Sequence, residues 1–127
     1  MGKTMADRSL KACRILVVED EYFLADELAQ ELADAGAVVL GPVPTIEQAL
    51  AVMEEEAAPD GAVLDVNLGG VLVFSLADTL IERGVPIIFT TGYDPNTLPV
   101  RFANVPICGK PINVELIATA IGRTIRD

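Results

Sequence analysis

Along the chain, short runs of branched apolar residues alternate with longer stretches in which apolar positions recur every three or four residues. The first run, ILVV at residues 15–18, has no polar position, the pattern of a strand buried on both faces. In EYFLADELAQELADAG, residues 21–36, Leu24, Leu28 and Leu32 fall at i, i+4 and i+8 with acids between them. That spacing predicts a helix with one apolar stripe, closed by Gly36. AVVLG (37–41) predicts a second strand. Thr45 and Gln48 have the spacing of a capping box, ahead of a helical face made by Ile46, Ala49, Leu50 and Met53. AVL (62–64) reads as the third strand, and residues 72–83, with Leu72, Leu76, Leu80 and Ile81, as the next helix. PIIFT (86–90) and VPIC (105–108) read as strands four and five. Asn113 is placed to cap a last helix whose apolar face is Ile117, Ala120, Ile121 and Ile125.

Alternating fully apolar strands and amphipathic helices imply an α/β fold, with a parallel sheet covered on both faces. One stretch breaks the rhythm. GYDPNTLPVRFAN, between the fourth and fifth strands, contains Pro95 and Pro99 and no helical stripe. A short turn of helix or a mobile loop is expected there instead of a full crossover helix. At 127 residues the chain is the size of one domain. The expected organisation is a loose leader over residues 1–11 and the domain over 12–127.

Composition narrows the function. Half of the residues are hydrophobic (51%) and only 22% are charged, which supplies a core and excludes a disordered chain. Nine basic and nineteen acidic residues give a net charge of −10, a surface that repels phosphate backbones, so no nucleic-acid partner is expected. No apolar stretch approaches the ~20 residues that cross a bilayer. The opening MGKTMADRSLKAC has no apolar signal-peptide region. A cytoplasmic protein without membrane contact is the expectation. Cys13 and Cys108 each adjoin an apolar run and read as free core cysteines. There is no histidine. That excludes Ser–His–Asp and Cys–His catalysis, His-ligated metals and a role as phosphohistidine carrier.

In an open α/β sheet, ligands bind beyond the carboxyl ends of the strands. The polar residues collect at those ends: Glu19, Asp20 and Glu21 after strand one, Asp65 after strand three, Thr90 and Thr91 after strand four, and Gly109-Lys110-Pro111 after strand five. Each has an ordinary explanation taken alone. Glu19 and Asp20 suit a helix N-terminus as well as they suit a metal. Asp65 suits a turn, Thr91 a strand, and Lys110 a solvated surface. Lys110 is, however, the only lysine after residue 11. Carboxylates from two strand ends would meet at the sheet edge and resist joint ionisation unless a cation neutralises them. Oxygen donors without His or thiolate suit Mg²⁺, which also binds phosphate oxygens. Lys110 adds a second cation and Thr91 a hydroxyl. The set fits phosphoryl transfer to a carboxylate.

ILVVEDE, AVLDVNLGG, PIIFTTGY and CGKPI resemble, in order, the signature segments of the receiver domain of two-component response regulators. The resemblance spans residues 13–125. It implies a flavodoxin-like, doubly wound, five-stranded parallel sheet of order 2-1-3-4-5, here with a short or disordered fourth helix. It implies a signalling domain and not an enzyme. Asp65 would accept a phosphoryl group from a histidine kinase or a phosphotransfer protein and switch a protein-interaction surface or relay the phosphate. Glu19 and Asp20 match the acidic pair that, with Asp65 and the backbone carbonyl of Asn67, holds Mg²⁺. Thr91 matches the switch hydroxyl and Lys110 the lysine that pairs with the phosphoryl group. The Lys110–Pro111 bond is expected to be cis. FTTGY (89–93) further resembles the receiver subgroup named for its FATGUY motif, whose members often stand alone and are linked to HWE-type kinases. One departure stands out: many receivers carry Tyr or Phe three residues before the lysine, and here that place is Ile107. Two alternatives remain. LDVN faintly resembles the DxD opening of haloacid-dehalogenase phosphatases, but Asn67 cannot serve as their second acid. A degenerate receiver would bind partners without taking phosphate.

Overall fold

The computed structural model describes residues 10–92 and 98–126. Five parallel strands form one sheet: β1 (Arg14–Val18), β2 (Val38–Val43), β3 (Gly61–Asp65), β4 (Ile87–Thr91) and β5 (Ile107–Gly109). Their spatial order is 2-1-3-4-5, the expected one. The chain therefore reverses direction across the sheet between β1 and β3, which leaves a crevice above their carboxyl ends.

Alternation along each strand feeds two cores. Ile15, Val17, Val63 and Ile88 face α1 (Tyr22–Asp34) and α4 (Val114–Arg126), whose Leu28, Leu32, Ile117 and Ile121 cover them. Leu16, Val18, Leu64 and Phe89 face α2 (Ile46–Glu55) and α3 (Phe74–Glu82), covered by Ala49, Met53, Leu76 and Leu80. The helix starts follow their capping residues. Thr45 Oγ1 accepts from the Gln48 amide at 3.1 Å, and Asn113 Oδ1 accepts from the Glu115 and Leu116 amides at 3.0 and 3.2 Å. No helix among the described residues is long and apolar enough to cross a membrane.

Several boundaries and burial assignments differ from the sequence pattern. β2 runs on to Val43 through an irregularity opposite Leu16 and Val18. Gly41 makes that possible: its φ is +92°, and a Cβ there would lie 2.8 Å from the Val43 amide nitrogen. The third helix begins at Phe74 because Val71–Leu72 pairs with Asn67–Leu68 in a small antiparallel hairpin. Leu50, Leu72 and Ile81, expected to be inward-facing, are exposed. Of the expected leader, residues 1–9 lie outside the described residues. Leu10, within the expected leader, is buried against α4 beside Gly122 and donates its amide to Ala35 O at 3.0 Å, so packing extends at least as far back as Leu10. Between β4 and β5 the described residues contain one 3₁₀ turn, Val100–Phe102. The stretch 93–97, with Tyr93 and Pro95, lies outside them.

Candidate functional site

Strand register builds the site. Val18 on β1 pairs with Leu64 on β3, Asp65 with Thr90 on β4, and Thr90 with Cys108 on β5. Glu19, one residue past Val18, therefore comes level with Asp65. The loop after β1 adds Asp20, and the residue after β5 adds Lys110. A cleft of about 340 Å³ above these ends is lined by Asp20, Asp65, Asn67, Gly69, Gly70, Thr91, Gly92 and Lys110. All the residues singled out by sequence meet there or directly behind it. A larger groove, about 570 Å³ between Ile87, Pro106 and Ile125, opens at the other end of β4 and contains none of them.

The electrostatics centre on Asp65, which is buried. Its Oδ1 accepts from the Asn67 amide at 3.1 Å. Its Oδ2 accepts from Lys110 Nζ at 3.0 Å. Lys110 Nζ also lies 3.9 Å from Glu19 Oε2, and that oxygen accepts from the Glu21 amide at 3.1 Å. Glu21, the residue at the α1 N-cap, makes no side-chain cap. Burial, and then the neighbouring Asp65, push the Glu19 carboxyl up to about 8. For Lys110, burial opposes the charge, but Asp65, Glu19 and Glu21 outweigh it and raise its pKa. The Lys110 amide donates to Thr91 O at 2.9 Å, tying the lysine to the end of β4. The Lys110–Pro111 bond is cis, as the resemblance implied.

Glu19, Asp20 and Asp65 each offer an oxygen within 4.8 Å of the other two. Glu19 Oε1 is buried without a hydrogen-bond partner among the described residues. An orphaned carboxylate oxygen facing two more carboxylates, with no nitrogen or sulfur donor, fits a hard divalent cation such as Mg²⁺. Asp20 is exposed, which leaves the set open to solvent.

The hairpin after β3 was not legible as an element, yet it walls the cleft. Asn67 Oδ1 accepts from the Gly70 amide at 2.6 Å, closing the turn. Gly69 and Gly70 have φ of +61° and +97°. A Cβ at Gly69 would lie 3.5 Å from Asp20 Oδ2, so the turn tip rests beside the acid cluster. The adjacent GG pair after Asn67 was the signal. Thr90, which sequence placed only at a strand end, is buried beside Asp65, and its Oγ1 has no partner among the described residues. Burial raises the pKa of both cysteine thiols, which suits packing and not reactivity.

The family model for the response regulator receiver domain matches residues 15–121. An uncharacterized response regulatory protein of Vibrio cholerae is 28% identical over 115 residues, covering 88% of this chain and 48% of the relative. The chain thus spans about half the length of that curated relative. Among solved structures, SdrG from Sphingomonas melonis Fr1 is 33% identical with a TM-score of 0.71, covering 91% of this chain and 98% of SdrG. A BeF3-activated conformation of SdrG is also among the similar structures, at 31% identity and a TM-score of 0.73. The response regulator PhyR from Brucella abortus, 24% identical, shares the fold at a TM-score of 0.77 over 99% of this chain and 53% of PhyR.

Proposed function

The chain belongs to the response regulator receiver domain family, and from that premise we propose that Asp65 accepts a phosphoryl group from a phosphohistidine. The donor is a histidine kinase or a phosphotransfer protein. An Asp65 carboxylate oxygen attacks phosphorus, a P–O bond forms, the P–N bond to the donor imidazole breaks, and the imidazole leaves with the bonding electron pair. Glu19, Asp20 and Asp65, with the Asn67 backbone carbonyl, hold Mg²⁺. When bound, Mg²⁺ neutralises charge on the phosphoryl oxygens.

The chain's own residues do the rest. The Asn67 amide and Lys110 orient the Asp65 carboxylate from its two oxygens. Lys110 is already within reach of the reacting centre and follows the charge onto the phosphoryl oxygens. Thr91, lining the same cleft, supplies a hydroxyl to one of them. Phosphorylation places about −1.5 to −2 charges where the carboxylate carried about one, and Lys110 and Thr91 move to meet them.

One observation carries this reading: five side chains from four strand ends converge on a single cleft, with Asp65 at its base. The haloacid-dehalogenase alternative gains nothing from the geometry. Asn67 is an amide closing a turn, and the strand that Asp65 ends is third in the sheet's sequence order. A module that never takes phosphate has no need of the Lys110–Asp65 pair or the acid cluster. The test is incubation with Mg²⁺ and a small phosphodonor, followed by mass spectrometry under conditions that preserve acyl phosphates. One phosphoryl group on Asp65, absent from Asp65→Asn, is expected. An unmodified wild-type chain refutes the proposal.

A further inference from the structure

Three of the chain's four phenylalanines pack together behind the site. Phe89 on β4 lies edge-on to Phe102, centroids 5.3 Å apart. Phe74, the first residue of α3, is 5.3 Å from Phe102 and 6.2 Å from Phe89. Two of these rings have short covalent paths to the cleft. Phe89 precedes Thr91 by two residues on the same strand, so both side chains leave the same face. Phe74 follows the Asn67–Leu72 hairpin, and its neighbour Val73 donates to Val66 O at 2.9 Å, one residue past Asp65. The third ring, Phe102, has no such path. It belongs to the 3₁₀ turn Val100–Phe102.

That turn is attached to the sheet by side chains. Among the described residues, the backbone bonds of residues 99–105 stay within the segment: Phe102 N to Pro99 O, Ala103 N to Val100 O, and Val105 N to Phe102 O. The first backbone bond to the sheet is Phe89 N to Pro106 O at 3.0 Å. Phe102 is buried, while Val100, two residues earlier, is 90% exposed. Arg101 lies over the Phe102 ring at 4.5 Å and makes two bonds to Asp78 on α3, at 3.0 and 3.1 Å. The turn is therefore positioned by Phe102 in its ring socket, by Leu98 and Val105 packed at the edge of the same core, and by an exposed ion pair that contributes little. Close-packed rings do not deform continuously; when the socket shifts, the inserted ring must shift with it. Ile107, half-buried, packs against the same core and offers no ring.

We propose that the Phe74–Phe89–Phe102 cluster couples the state of Asp65 to the exposed Val100–Phe102 turn, doing here what no ring at Ile107 can do. The inference rests on Asp65 being a phosphoacceptor. Movement of Thr91 displaces β4 at Phe89, movement of the hairpin displaces Phe74, and both meet at Phe102.

With four phenylalanines, fluorophenylalanine labelling of the whole chain gives four ¹⁹F resonances, assignable by single Phe→Leu substitutions. Beryllofluoride with Mg²⁺ mimics the phosphorylated aspartate, and the Asp65 and Thr91 amide shifts report its binding independently. The Phe102 resonance should move in proportion to those amides. In Phe89→Leu that movement should be lost while beryllofluoride affinity stays within about threefold. Phe74→Leu, at a half-buried position, supplies the same comparison should Phe89→Leu not fold. A Phe102 resonance that stays put while Thr91 responds overturns the inference and leaves the phosphoacceptor reading standing. So does a Phe102 response that survives in both variants. Silence at Asp65 and Thr91 removes the phosphoacceptor reading, and the inference falls with it.

Discussion

Binding of Mg²⁺ should expel a proton from Glu19. In the metal-free protein, burial and then Asp65 push that carboxyl up to about 8, so near neutrality it is largely protonated. The reason is visible in the geometry: oxygens of Glu19, Asp20 and Asp65 lie within 4.8 Å of one another. Two full negative charges at that separation repel by about 3 kcal/mol at an effective dielectric constant of ~20. Lys110, 3.0 Å from Asp65 but 3.9 Å from Glu19, relieves Asp65 more than Glu19. A dication relieves both, so ion and proton compete for Glu19. Apparent affinity should then rise about tenfold per pH unit below the Glu19 pKa and level off above it, about a hundredfold in all from pH 6 to pH 9. The folded-state pKa is raised, so Glu19 contributes stability that is fully present below about 4.5 and is lost as pH climbs through about 8. The metal-free melting temperature should fall across that window while the increment from Mg²⁺ grows. Titration calorimetry in two buffers of different ionisation enthalpy measures the proton directly: close to one released per ion at pH 6, and almost none at pH 9. Mg²⁺ affinity that is flat with pH, with no proton release, would show that Glu19 is already ionised or takes no part in holding the ion, and the reasoning fails.

Other outcomes follow from single contacts. Lys110→Met removes the ammonium from Asp65 Oδ2 and should cost about 1–3 kcal/mol in metal-free denaturant unfolding at pH 8, with part of the loss restored by Mg²⁺. The same variant should lower the yield of phosphorylated Asp65 at least tenfold in a fixed-time assay with a small phosphodonor. Thr90→Val replaces a buried hydroxyl that has no partner among the described residues and should stabilise the fold by about 1 kcal/mol, read as a raised melting temperature. Gly61→Ala puts a Cβ 3.0–3.2 Å from the ends of Ile125 and Ile121 and should destabilise by about 1 kcal/mol in the same assay.

The sheet was legible because its three central strands, β1, β3 and β4, are almost wholly buried and carry polar residues only at their ends. The helix stripes at Leu28 and Leu32, and at Ile117 and Ile121, are buried as their spacing implies. What escaped were features decided by tertiary geometry. Leu72 has the right spacing for the third helix, yet the Gly69–Gly70 turn commits it to a hairpin first. Leu10 has no periodic partner in sequence, and becomes core against α4, where a Cβ at Gly122 would crowd it at 3.2 Å. The polar residues at the strand ends were legible as candidates, but their convergence was not. It depends on register, which puts Glu19 level with Asp65 and Thr90 opposite it, and register follows from packing across the whole sheet.

That register also shows how one cluster would both need a cation and, as proposed, accept a phosphoryl group. Glu19 and Asp65 end adjacent strands with their side chains on the same face, so folding brings two buried carboxylates together. The hydrophobic sheet makes this crowding unavoidable: neither strand can slip by one residue without turning its apolar positions to the wrong core. Crowded carboxylates attract protons, ammonium groups and dications alike. Lys110 meets part of that demand and Glu19 protonation another part. A phosphoryl group on Asp65 shifts the balance by adding negative charge at the one residue Lys110 already touches. The lysine and the end of β4 are joined through the Lys110 amide and Thr91 O, so the residue that answers the new charge is anchored on the strand that carries Thr91. Under the coupling proposed above, the charge response would reach Phe89, two residues back from Thr91 on the same strand.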